Sequence, residues 1–313
     1  MSIARFARPA VVVLAFVLAL ALSAVALLVT DSHTNATATG RGHTTGPQAA
    51  THTTKSHART NAATTVLTDV VTGGAPVGIK HLSRATPLMS VSSQNWAGYV
   101  ASNNRFRYVQ ATFAVPALNC RKTPGTAKTP AMVGVWVGLD GLGGKVVTVE
   151  QDGIAGQCTR GVPTYAAWWE MYPKPPVYSG MVIRPRDVIR ASVYYNAGNR
   201  QYRLTLTDLT TGGGFSTWRR CGASSCRNAS AEVITESPSL AVTGNRLFPL
   251  ADFGTVSYSH IQVTDAAGQR GGFGSARWQD TELVMADTGG HVKAATTGLS
   301  HGVAFRNYWK RAS

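Results

Sequence analysis

The chain has 313 residues, 44% of them hydrophobic and 32 of them glycine, enough for a full-sized core in one β-rich domain of roughly 200–250 residues. Its formal charge of +15 is spread out: residues 1–90 hold seven Lys/Arg against two acids, and residues 91–313 hold 23 against 13. No helix-turn-helix pattern, zinc-finger spacing or RNP-like aromatic motif accompanies the arginines, so no specific nucleic-acid partner is expected, and the charge is read as a surface property suited to anionic envelopes or acidic substrates.

In chain order, Arg5 and Arg8 precede an apolar run from Ala10 to Val29, with Ala24-Val-Ala26 as a small-residue cleavage site. Residues 1–29 therefore read as a secretory signal peptide, with membrane anchoring through residues 10–29 as the alternative. Either one places the domain outside the cytoplasm, secreted or held at the outer face of the membrane. Residues 30–90 are rich in Thr, Ala and His and poor in large apolar side chains. Such a segment buries too little surface to offset its ordering entropy and reads as a linker, stalk or pro-segment. Order is expected from about Val91, giving one domain over 91–313. From there short runs rich in Val, Ile, Thr and aromatics alternate with Gly, Pro and Asn turns: 108–115, 132–139, 146–150, 167–172, 187–195, 202–209, 231–236, 260–263 and 281–285. No helical period is sustained, and the strands lack βαβ spacing, so the expected class is all-β, an antiparallel β-sandwich or barrel.

Four cysteines suit an exported chain. The short Cys221–Cys226 loop closes most naturally on itself, leaving Cys120 with Cys158. No C-x-x-C pair argues for metal instead, and neither metal nor cofactor is expected. A Ser-His-Asp or Cys-His hydrolase needs an imidazole base, and the domain's His260, His291 and His301 stand in no recognisable catalytic context. The sequence contains no H-E-x-x-H, and no phosphate-binding glycine motif follows a strand. Carboxylates, a glutamine and aromatics remain for chemistry. They gather in Trp136-Val-Gly-Leu-Asp-Gly141, Glu150-Gln-Asp-Gly153 and Trp168-Trp-Glu-Met-Tyr-Pro173. Strand alternation puts Ala166, Trp168, Glu170 and Tyr172 on one face, and Glu232, Ile234 and Glu236 on another. Two acids on a strand face are costly in a dry core, so a solvated cleft is expected.

Together with Ser93-Gln-Asn-Trp-Ala-Gly98 and Ala231-Glu-Val-Ile-Thr-Glu236, these motifs resemble, in order and rough spacing over about residues 92–290, the eqolisins or glutamic peptidases. The Gly- and Arg-rich composition points to a bacterial-type member. The resemblance implies a lectin-like sandwich of two seven-stranded antiparallel sheets with the site on a concave face. It also implies an endopeptidase acting on polypeptides; with the N-terminal signal and the missing cofactor motifs, a secreted, cofactor-free monomer is expected. Its catalytic glutamine falls on Gln151 and its glutamate on Glu236. Trp136, Asp140, Trp168, Glu170 and Tyr172 are expected to bind substrate. Three departures stand out: Ala166 where the fungal pattern has an acid, Asp152 where threonine follows the glutamine, and a basic domain whose arginines are expected to lower the glutamate's pKa. Two other readings fit a lectin-like sandwich: a non-catalytic glycan- or envelope-binding protein, and a glycosidase using Glu170 and Glu236.

Overall fold

The computed structural model describes residues 76–84, 88–142, 148–221, 226–240 and 246–313. The expected signal or anchor, and the linker as far as residue 75, lie outside the described residues. No helix occurs among the described residues.

The strands are β1 (Lys80–Arg84), β2 (Leu88–Ser93), β3 (Trp96–Ser102), β4 (Phe106–Ala114), β5 (Ala131–Leu139), β6 (Val149–Thr159), β7 (Val162–Tyr172), β8 (Val177–Tyr178), β9 (Val188–Asn196) and β10 (Gln201–Asp208). They continue with β11 (Gly214–Arg220), β12 (Ala231–Glu236), β13 (Ser239–Leu240), β14 (Arg246–Leu247), β15 (Thr255–Asp265), β16 (Arg270–Gly271), β17 (Gln279–Ala286), β18 (Val292–Thr296) and β19 (Phe305–Trp309). Among the described residues strand structure begins at Lys80, ahead of the expected start near Val91: β1 pairs antiparallel with β2, and β2 pairs parallel with β17.

Two layers result. The first runs β8–β7–β6–β5–β12–β3–β17–β2–β1, and the second β11–β10–β9–β4–β15–β19–β18, with a short β17–β18 pairing joining them. Apart from β2–β17, the pairings between these strands are antiparallel. The expected sandwich is therefore found, although the parallel pair and the nine-stranded first layer differ from two seven-stranded antiparallel sheets. Between the layers lies a core that includes Val133, Val135 and Val137 of β5, Val233 of β12, Val193 of β9 and Leu204 of β10.

The layers differ in how they are covered. β5 and β12 are buried at every position, which is why β5 reads as an unbroken apolar run. β9 and β10 alternate buried with half-buried or exposed residues, the signature of a sheet with one wet face. The first layer buries a second apolar cluster on its outer side, formed by Trp96, Val100, Trp136, Val149, Trp168 and Ile234. Both expected disulfides are present, Cys120–Cys158 and Cys221–Cys226.

Candidate active site

The site lies on the outer side of the first layer. Register sets its floor in rows: Glu232 of β12, Gly138 of β5, Gln151 of β6 and Glu170 of β7 stand side by side, as do Ile234, Trp136, Gly153 and Trp168. Glu236 stands beside Gly134 and Trp96. The expected strand faces are therefore correct. Gly138 and Gly153 clear space for the Trp136 indole. A Cβ on Gly153 would lie 2.2 Å from the Val135 carbonyl oxygen and 2.6 Å from the Trp136 Cβ. On Gly138 it would lie 3.0 Å from the Trp136 ring and 3.3 Å from the Gln151 Cβ. The indole thus lies along β5, reaching from Glu236 toward Gln151, and it meets Trp96 edge-on at 5.0 Å.

Two N–H groups hold the Glu236 carboxylate. Trp136 Nε1 donates to Oε2 at 2.8 Å, and Asn95 Nδ2 donates to Oε1 at 3.3 Å. The Asn95 amide is oriented by its own oxygen, which accepts from the Val77 N–H at 2.7 Å and the Ser93 hydroxyl at 3.0 Å, leaving the nitrogen toward Glu236. Behind it, Ser237 N donates to the Asn95 carbonyl. Buried Lys293 spans Ser237 Oγ and the Gln94 carbonyl at 3.3 and 3.4 Å, and desolvation lowers its pKa to about 8.

Gln151 Nε2 donates to Glu170 Oε2 at 2.8 Å. Glu170 has its pKa pushed well above the usual carboxylate range, first by burial and then by the charge of Glu236, with the Gln151 bond opposing. The acids are also less solvated than expected: Glu170, Glu232 and Glu236 have no exposed surface. Tyr178, which the sequence reading did not single out, packs against the cluster, and its hydroxyl pKa is raised by burial and by Glu170. Trp168 is buried in the same cluster, and Tyr172 packs on it half-buried.

Asp140 is a correction. It adopts a left-handed φ of 67°, and its carboxylate accepts the N–H groups of Arg227, Asn228 and Ala229 at 2.8, 2.7 and 2.7 Å. One carboxylate held by three backbone N–H groups in this way is a clamp on the 227–229 loop rather than a lining of the floor. Glu150 and Asp152 alternate onto the other side of β6 from Gln151, facing the interlayer core. Desolvation raises both pKa values well above the ordinary range. Glu150 Oε1 lies 3.0 Å from Cys226 Sγ, which carries no hydrogen in its disulfide and so cannot donate to the carboxyl. Ala166, where the fungal pattern has an acid, sits opposite Ala155 and packs on the outer cluster.

The floor therefore brings together Gln151, Glu170, Glu236, Trp136, Trp168 and Tyr172, adds Asn95 and Tyr178, and leaves out Asp140. Asn95 was visible as part of the Ser93-Gln-Asn-Trp motif, but its role depends on a turn that only folding brings to β12. Tyr178 follows a turn after β7 and carries no sequence signal of its own.

Residues 94–301 match the sequence profile of the peptidase A4 family. Aspergillopepsin-2 from Aspergillus niger is 25% identical over 194 residues, covering 57% of this chain and 67% of that protein. Scytalido-glutamic peptidase, solved with a peptide-based transition-state analogue, shares the fold with a TM-score of 0.58 at 23% identity, over 69% of this chain and 98% of that one. SCP-B, an eqolisin solved with the tripeptide Ala-Ile-His, gives a TM-score of 0.56 at 22% identity over the same shares. Since the profile spans well over half the sequence and the layers superpose on eqolisins, the chain belongs to the peptidase A4 family, the glutamic endopeptidases.

Proposed function

We propose that this chain is a secreted endopeptidase in which Glu236 activates a water molecule and Gln151 stabilises the oxyanion. Of the three carboxylates buried on this face, Glu170 and Glu232 are pushed toward their neutral forms first by burial, which leaves Glu236 as the one to ionise. Glu236 receives N–H bonds from Trp136 and Asn95, which favour its charged form, while burial and the Glu236 charge push the Glu170 pKa up. Ionised Glu236 takes a proton from the water as its oxygen adds to the scissile carbonyl. The carbonyl π electrons move to oxygen, and a Gln151 N–H, oriented by the bond to Glu170, donates to that oxyanion. Glu236 then returns the proton to the amine as the C–N bond breaks. Trp136, Trp168 and Tyr172 provide apolar walls for an extended polypeptide, consistent with the peptide-based ligands of the solved relatives. The observation that carries this reading is the Glu236 carboxylate held between Trp136 and Asn95 on the Gln151 floor.

Hydrolysis of an unfolded protein in ¹⁸O-labelled water, with quenched enzyme weighed by mass spectrometry, tests the chemistry. Direct attack places label in the new carboxyl group and leaves the enzyme mass unchanged. A substrate-derived acyl adduct on the enzyme would overturn it.

A further inference from the structure

The outer face of the second layer carries an unusual charge pattern. Alternation directs residues 108, 110 and 112 of β4, 190, 192, 194 and 196 of β9, 201, 203, 205 and 207 of β10, and 216, 218 and 220 of β11 away from the core, whose inward partners include Val109, Ala191, Val193 and Leu204. These fourteen positions hold three arginines, three aromatics and otherwise Ser, Thr, Asn and Gln, with no carboxylate. Arg190, Arg203 and Arg220 are exposed. Among the described residues, none of them forms an ion pair.

Register fixes their arrangement. Arg203 stands between Tyr194 and Trp218, with Tyr108 beyond Tyr194, so four strands contribute one cross-sheet row. The Arg203 guanidinium lies 5.6 Å from both the Tyr194 and the Trp218 ring centroids, and the two rings meet edge-on at 6.3 Å. Trp218 remains 39% exposed. Arg190 lies four residues before Tyr194 on β9, and Arg220 faces Gln201 on β10. From strand rise and spacing, the three guanidinium groups form a diagonal row roughly 20 Å long. At the Asn196 end of β9, a depression of about 450 Å³ is lined by Arg105, Arg107, Tyr194 and Asn196, again without an acid in its lining.

We propose that this face binds an acidic polysaccharide, a chain of sugars bearing carboxylates. A guanidinium braced by two rings keeps its planar donor fork fixed, which suits two-point recognition of a carboxylate. The hydroxyls of Ser192, Thr205 and Ser216 alongside it, with the Thr205–Ser216 pair 3.0 Å apart, match sugar hydroxyls in both donating and accepting. A single-stranded nucleic acid is less well served, because base stacking needs open ring faces and Arg203 already lies over Tyr194 and Trp218. The face is on the opposite layer from the Glu236 floor, so polymer binding and peptide hydrolysis proceed independently.

The test is isothermal titration of the full chain with polygalacturonate, its fully methyl-esterified form and an oligothymidylate, each at several salt concentrations. The expected result is binding of polygalacturonate that weakens with salt, and none of the neutral ester. Arg203→Gln should lower affinity about tenfold, the worth of one charge-assisted hydrogen bond, and Trp218→Ala should lower it in the same direction. Arg160→Gln, in the β6–β7 turn of the other layer, should leave it unchanged. Equal binding of the ester, or an equal loss in the Arg160 variant, would overturn the proposal as general charge attraction. Tighter binding of the oligothymidylate, displaced by the same Arg203 change, would replace the polysaccharide with nucleic acid. No binding of polygalacturonate at low salt would also overturn it.

Discussion

The two outward faces of this sandwich sort their side chains in opposite ways. On the first layer, Glu170, Glu232 and Glu236 lie buried among Trp96, Trp136 and Trp168. On the second, Arg190, Arg203 and Arg220 stand exposed among Ser, Thr and Gln with no acid near them in register. The three arginines of the wet face are a small share of a formal charge of +15 spread along the chain, while the proposed chemistry draws on minority acids buried on the dry one. Net charge reports where a protein meets solvent; the state of a buried carboxylate is decided by desolvation and its immediate donors.

The largest contrast expected is in stability. Trp136→Ala removes a fully buried indole and should cost about 3–5 kcal/mol, whereas Trp218→Ala on the exposed face should stay within about 1 kcal/mol; urea unfolding of both variants measures the difference. Comparable losses would break the division into dry and wet faces. Trp136→Phe keeps an aromatic ring but deletes the donor to Glu236 Oε2. It should lower kcat/KM about tenfold, the value of one hydrogen bond to a charged group, with a far smaller loss of stability than the alanine variant.

The pH dependence of stability sharpens the comparison further. Glu150, Asp152, Glu170 and Glu232 have folded pKa values raised by burial, and Asp280 is raised to about 7. Above the ordinary carboxylate range the folded chain thus holds more protons than the unfolded chain, so stability falls as pH rises through that range toward the folded values. The melting temperature should be higher near pH 4 than near pH 7. Asp280→Asn should flatten that fall, because its group titrates between 3.8 and about 7. A melting temperature that climbs over the same interval would contradict the assignment. The smallest effect belongs to the exposed face: Arg190→Gln and Arg203→Gln should leave kcat/KM for an unfolded protein substrate unchanged within about twofold, since surface charges far from the floor are screened.

Much of this contrast was legible in the sequence. The unbroken apolar run of β5 and the alternation of β10 distinguish a sheet covered on both sides from one with a wet face. Period-two spacing placed Glu170 with Trp168, and Glu236 with Glu232, correctly. Asp140 misled because an acid beside a Trp motif looks the same whether it faces substrate or a loop; its left-handed φ and the three N–H groups of residues 227–229 come together only in the fold. Asn95 and Tyr178 depend on turns that pack against strands distant in sequence. The β1 and β2 strands were missed because their Ser- and Lys-bearing sequences lack apolar alternation and are held by pairing at the sheet edge. The arginine row was counted as charge but not located, because its geometry arises from pairing β9, β10 and β11 in register.

The most direct measurement is kcat/KM for an unfolded protein substrate, from pH 2 to 8, for the wild-type chain, Glu236→Gln and Gln151→Ala, each checked for native circular dichroism. The account predicts cleavage by the wild type, loss by at least about a hundredfold in both variants, and an intact fold in each. Full activity in folded Glu236→Gln would contradict it.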